Sequence, residues 1–142
     1  KENFSIEDGR PPKINLVNEK NNGEAVLQLI KENFILSSHD ISSGGLLVAL
    51  SEMSIGSEFG VKINKPKKLI NLTEYFFGED QGRYVLEISE NSLPDVDKIL
   101  KKNNIYYENI GITQKTNFEI EGEMKIDIND LFKINNQWYN NY

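Results

Sequence analysis

Cysteine is missing from this chain altogether. Disulfides, thiolate zinc sites and thiol nucleophiles are therefore excluded, and nothing calls for an oxidising compartment. A basic surplus is missing too: 16 lysines and arginines face 22 acids, for a net charge of −6, with the acids scattered among the lysines. A nucleic-acid or anionic-membrane surface would want a basic patch or stripe, so neither nucleic acid nor membrane is an expected partner. The one basic cluster, Lys65-Pro66-Lys67-Lys68, is broken by its proline and reads as a solvated loop. Long apolar runs are also absent. The longest lie near Leu46 to Leu50, far short of the roughly 20 residues a membrane span needs. Lys1-Glu2-Asn3 does not read as a signal peptide, and the expected location is cytoplasmic. With no initiator methionine, the expectation is a piece of a longer protein.

What is present suffices for one domain. At 142 residues, about two-thirds of the unfolded surface can be buried without covalent staples. Asparagine is common, but it is dispersed between periodic apolar positions, which indicates compositional bias in a folded chain rather than a low-complexity segment.

Residues 1–18 read as a linker, since Gly9-Arg10-Pro11-Pro12 breaks both helix and strand, with Ile14, Leu16 and Val17 expected to dock it onto a domain spanning 19–142. From Glu19 to Phe34 the apolar Ala25, Val26, Leu29, Ile30 and Phe34 recur at helical spacing, predicting an amphipathic helix. Ile35 to Asp40 is a strand candidate. Leu46 to Ile55 is apolar nearly all round and predicts a buried helix, with Ser42 or Ser43 as its cap and Gly56 as its stop. Phe59 to Asn64 reads as a strand, Leu69 to Phe77 as a short helix or irregular stretch, and Tyr84 to Ile88 as a strong strand. Pro94 suits the first turn of a helix reaching Lys102. Ile105 to Ile112 predicts a strand, Asn117 to Asp127 a hairpin about Gly122, and Leu131 to Tyr142 a final helix or tail whose Trp138, Tyr139 and Tyr142 pack on the domain or a neighbour. The fold class is α+β: a layered α/β sandwich with a mixed sheet and a terminal β-hairpin.

Two polar loops carry the candidate chemistry. The first, Ser37 to Gly45, runs from a strand into a helix and leaves backbone N–H groups at one point, which suits an anion; paired glycines serve equally as an ordinary turn. His39 within it is either a hydrogen-bonded structural residue or a catalyst, and Asp40 beside it points the other way if the segment is extended. The second loop is Phe77-Gly78-Glu79-Asp80-Gln81-Gly82-Arg83. Adjacent Glu79 and Asp80 can hold magnesium or simply be solvated, and Arg83 can clamp a phosphate or carboxylate or form an ion pair with either acid.

Together, His39-Asp40-Ile41-Ser42-Ser43-Gly44-Gly45-Leu46 and the Phe77–Arg83 loop resemble the paired motifs of the carboxyl-terminal domain of the AIR-synthase-related superfamily. The resemblance is closer to its phosphoribosylformylglycinamidine synthase branch, and is supported by Gly9 to Leu16 and by Ile110-Gly111-Ile112-Thr113. It implies an AIR-synthase C-terminal-domain-like fold and an ATP-dependent carbon–nitrogen ligase of purine biosynthesis. Such an enzyme turns the formamide of formylglycinamide ribonucleotide into an amidine, with ammonia supplied by a glutamine amidotransferase subunit or domain. It further implies that the preceding domains of the same polypeptide bind most of the ATP and magnesium and carry the catalytic residues, so the fragment alone is inactive. This chain then contributes one wall of an interdomain cleft, with no catalytic residue and no metal ligand assigned to it. The ligand-binding candidates are His39, Asp40, Ser42, Ser43, Gly44, Gly45, Glu79, Asp80, Gln81 and Arg83. The chain departs from the superfamily pattern at Ser43, where an aspartate is usual, and at Asp80, where a serine is usual; an acidic group has in effect crossed from one loop to the other. Other superfamily enzymes, namely AIR synthase, selenophosphate synthetase or thiamine-monophosphate kinase, and a non-catalytic phospho-ligand or assembly module, are the alternatives.

Overall fold

The computed structural model describes residues 13–66 and 71–140, the side chains of Trp138 and Asn140 excepted. The linker motif at Gly9–Pro12, Lys67 and Lys68 of the basic cluster, and the predicted packing of Trp138 and Tyr142 lie outside what is described. In chain order the elements are α1 (Leu16–Lys31), β1 (Ile35–Asp40), α2 (Gly45–Ser57), β2 (Gly60–Ile63), α3 (Leu72–Phe77), β3 (Tyr84–Ile88), α4 (Leu93–Lys102), β4 (Gly111–Gln114), β5 (Asn117–Ile120), β6 (Met124–Asp127) and α5 (Ile128–Asn140).

Helix α1 starts earlier than its apolar spacing suggested, because the Asn15 side chain caps it by accepting the Asn18 N–H at 3.1 Å. Ala25 and Leu29 are buried against Val96 and Leu100 of α4, forming one of two cores. Leu16 lies roughly half a turn round the helix from Ala25 at about 100° per residue. The expected docking of Ile14, Leu16 and Val17 is therefore not found: they are 59%, 73% and 67% exposed. Ile30 is also exposed, on the side of α1 turned from the core.

Strands β1 and β3 form where predicted and pair antiparallel as a separate two-stranded sheet, with His39 opposite Val85 and Asp40 opposite Tyr84. Because side chains alternate across a strand, this ribbon serves two cores at once. Ile35, Leu86 and Ile88 pack toward α1 and α4, while Val85 joins Leu46, Ala49 and Leu50 of α2 in the larger core.

The other face of that larger core is a four-stranded sheet in the order β4-β2-β5-β6, mixed because β2 and β5 run parallel while the outer pairs are antiparallel. Val61, Ile63, Phe118 and Ile120 point inward and are buried. Lys62, Glu119 and Lys125 alternate with them on the outer side, with Glu119 3.7 Å from Lys62 and 3.6 Å from Lys125. β5 and β6 make the expected hairpin, turning at Gly122 with φ +70°.

Three boundaries differ from expectation for physical reasons. Helix α2 runs through Gly56 and stops at Glu58, which takes the left-handed φ of 60° itself. Neither Ser42 nor Ser43 caps it; the cap is Gly44, with φ 82° and no side-chain bond. The predicted strand over Ile105–Ile112 is mostly not a strand, because four-residue β2 reaches only as far as the Ile63–Gly111 pair. Beyond it, Asn64 N–H still donates to Ile110 O, but the preceding residues are held by side chains: Tyr107 donates to Asp97 on α4 and Tyr106 to Glu108.

Phe118 is 1% exposed at the centre of the larger core, so Phe118→Ala should destabilise the fold by about 3–5 kcal/mol, read as a lower urea midpoint with little change in slope. The Asp97 carboxyl is held below its ordinary value by the Lys101 ammonium and then by the Tyr107 hydroxyl. A carboxyl depressed on folding contributes stability above its unfolded value and loses it as pH falls through the folded one. Asp97→Asn should therefore flatten the acid-side fall of the thermal midpoint while leaving its neutral-pH shape intact.

Candidate functional site

Ile41 anchors the end of β1: its side chain is buried and its N–H donates to Arg83 O at 2.9 Å. The chain then turns sharply, with Gly45 N–H returning to Ser42 O at 3.1 Å and both glycines at positive φ. At Gly45 the positive φ coincides with a close approach. A Cβ there would lie 2.6 Å from the Phe77 carbonyl carbon and 2.8 Å from Phe76 O. Only glycine meets both demands, so the end of α3 rests directly on the first turn of α2. The space beside Gly45 is thus filled by the chain's own backbone.

That packing brings the second loop to the first. Helix α3 ends as Gly78 N–H donates to Glu74 O at 2.9 Å, and the chain leaves it in extended conformation. Glu79 follows, and its Oε1 accepts the Gly44 N–H at 2.8 Å. The N–H predicted to await an anion thus already holds a carboxylate, in the place where helix N-terminal charge favours one. An external anion must share or displace it. Ser43 and Asp80 are the immediate neighbours of the two bonded residues, so the two departures from the superfamily pattern stand on loops that meet.

Arg83 takes the ion-pair alternative, with Asp80 as its partner, in an open form. Its Nη1 donates to Gly78 O at 3.2 Å and lies 3.4 Å from Asp80 Oδ2, with the two side chains 31% and 59% exposed. An ion pair this open is worth about 0–1 kcal/mol. Ser42, Ser43, Asp80 and Gln81 are exposed around it. Nearby, the Tyr75 hydroxyl is pushed above its ordinary value, first by burial and then by the charge of Glu108, with Arg83 opposing. The 105–110 segment therefore borders the same side.

His39 reaches the structure as a hydrogen-bonded residue. Its Nδ1 donates to the Asp40 carbonyl at 2.6 Å, and its Nε2 lies 3.2 Å from Glu52 Oε2. The Asp40 carboxylate sits 3.7 Å from Nδ1 and remains 68% exposed. Glu52 was not anticipated. It is the only charged residue of α2, and a lone charge in an otherwise apolar and small-residue helix was the available signal. Among the described residues no group of three or more His, Asp or Glu could hold a metal ion.

Residues 1–122 match the family described as AIR synthase related protein, C-terminal domain. The chain is 46% identical over 134 residues to phosphoribosylformylglycinamidine synthase subunit PurL of Pelagibacter ubique, an alignment covering 94% of this chain and 18% of that protein. It is 36% identical over 136 residues to the same subunit of Rhodopseudomonas palustris, covering 96% of this chain and again 18% of the relative. The chain thus spans about a fifth of the length of the curated relatives it matches. Among solved structures, phosphoribosylformylglycinamidine synthase II of Thermotoga maritima superposes with a TM-score of 0.73 at 18% identity, over 87% of this chain and 24% of that one. T. maritima PurL complexed with ATP superposes with a TM-score of 0.69 at 18% identity, over 80% and 21%. These likenesses establish the fold.

Glu79→Ala frees the Gly44 N–H. Amide hydrogen exchange should accelerate much more at Gly44 than at buried Leu50, where the rise reflects only a loss of about 1 kcal/mol in stability.

Proposed function

Because the chain belongs to the AIR synthase related protein, C-terminal domain family, we propose that it is the AIR-synthase-related C-terminal domain of a phosphoribosylformylglycinamidine synthase. The observation that carries this reading is the Glu79–Gly44 hydrogen bond, which joins the two motif loops at one edge in a chain 46% identical to a PurL subunit. The whole enzyme is an ATP-dependent carbon–nitrogen ligase. ATP activates the formamide oxygen of formylglycinamide ribonucleotide as a phosphorylated intermediate, and ammonia displaces it to leave the amidine. Support comes from relatives named for this synthase and from T. maritima PurL structures complexed with FGAR, with ATP and with ADP.

This domain supplies one wall of the cleft between itself and the preceding domains of the same polypeptide, with the residues before α1 as the connection. His39, Asp40, Ser42, Ser43, Gly44 and Gly45 of the first loop and Glu79, Asp80, Gln81 and Arg83 of the second face the ligand. Arg83 supplies the fixed positive charge, and the Glu79 carboxylate keeps the α2 N-terminus neutralised until an anion competes for it. The acid lost at Ser43 is compensated at Asp80 across the same loop pair.

Magnesium, bound through one or two carboxylates and the phosphates of ATP, is assigned with ATP to the preceding domains, as the family resemblance implies. The ammonia source is a glutamine amidotransferase, in keeping with the assembled PurLQS structure of T. maritima. A cytoplasmic location is in keeping with a described chain in which no helix is long and apolar enough to cross a membrane.

Without the phosphoryl-transfer machinery of the other domains, the purified chain should not turn over ATP. The full-length synthase should form the amidine product from ATP, formylglycinamide ribonucleotide and ammonium. ADP release by the 142-residue chain alone, or absence of product from the intact protein, would contradict this assignment.

A further inference from the structure

The Arg83 loop is held from an unexpected direction. Asn22, in the middle of α1 and 60 residues away in sequence, donates from Nδ2 to Gly82 O at 2.9 Å, and the bond is partly buried. Gly82 O and the Arg83 N–H belong to one rigid peptide plane, so this bond sets the tilt of the plane before Arg83. The plane after Arg83 is set as well, because Ile41 N–H donates to Arg83 O at 2.9 Å. With both flanking planes held, the two soft dihedrals of Arg83 are fixed and its Cα–Cβ direction is aimed.

The contact with α1 is close at Gly82 as well. Gly82 has φ +69°, and a Cβ there would lie 3.1 Å from Glu19 Cα and 3.3 Å from Glu19 Cβ. A side chain at position 82 would push loop and helix apart. Ala25 and Leu29, further along the same face of α1, are buried in turn in the smaller core. A rigid helix thus presents one carboxamide to one carbonyl.

Resting on the reading that the 78–83 loop faces the ligand, we infer that Asn22 is a positioning residue: it orients Arg83 for ligand binding without touching the ligand. Removing it leaves Arg83 present but able to swing, which weakens ligand binding rather than the fold.

The test uses the full-length synthase carrying this domain, assayed with ATP, formylglycinamide ribonucleotide and ammonium. Four variants are compared: Asn22→Asp, which keeps the shape but turns the donor into a repelling acceptor, Asn22→Ala, Asn22→Gln and Arg83→Ala. Asn22→Asp and Asn22→Ala should raise KM about three- to tenfold, for the same substrate whose KM Arg83→Ala raises, with kcat and the thermal midpoint nearly unchanged. Asn22→Gln, which retains the donor, should recover most of the loss. If Arg83→Ala raises KM while the Asn22 variants do not, Asn22 has no positioning role and the ligand-facing reading survives. A drop in thermal midpoint without a KM change, or failure of even Asn22→Asp to fold, makes Asn22 structural and overturns the inference. If Arg83→Ala also leaves both KM values unchanged, the ligand-facing reading of the loop falls with it.

Discussion

The missing side chain at Gly45 is the constraint on which the candidate site depends. It lets the backbone of Phe76 and Phe77 lie against the first turn of α2, at distances no Cβ would tolerate. From that contact the rest follows in sequence: α3 ends beside α2, Glu79 comes within reach of the Gly44 N–H, and two loops far apart in the chain become one surface. The same approach seals Phe76 into the larger core, where it is 4% exposed. One glycine therefore couples packing to site geometry, because a helix start has donors to offer only to what can get near it.

The β1–β3 ribbon has a comparable double duty. An isolated two-stranded sheet is marginal in water, and this one is stabilised by burying apolar residues on both faces, Val85 toward α2 and Leu86 and Ile88 toward α1 and α4. Both candidate loops spring from its ends, the first after Asp40 and the second before Tyr84, which sit opposite each other in the register. The site thus lies at one end of a ribbon clamped between two cores. Its polar side chains are exposed or half-buried, yet their backbone is anchored to the best-packed parts of the chain. That arrangement lets charged side chains be presented in fixed directions at the surface.

Electrostatically, the site is largely self-satisfied. Glu79 answers the helix N-terminus, and Asp80 lies beside Arg83. His39 sits between the Asp40 carbonyl and Glu52. These groups are open to solvent, so each interaction is worth little in stability and can be exchanged for a ligand contact at low cost. A deeply buried pair would resist such exchange.

The sequence by itself determined most elements, because burial writes local periodicities into a chain: period two in Tyr84–Ile88, helical spacing in α1, Pro94 at the first turn of α4, and Gly122 between β5 and β6. It also marked both loops, since glycines and clustered polar residues between apolar runs are local signals. Only the tertiary structure decided what those elements meet. Asn15 rather than a later residue set the start of α1, and Glu58 rather than Gly56 the end of α2. Ile105–Ile110 look like a strand but lack one, because strandedness depends on a partner's length and β2 is too short to supply it. The pairings of Glu52 with His39, of Asn22 with Gly82 and of Glu79 with Gly44 were invisible for the same reason. A hydrogen bond needs two groups within about 3 Å, and nothing in the spacing of residues along a chain records which distant group the fold will bring there.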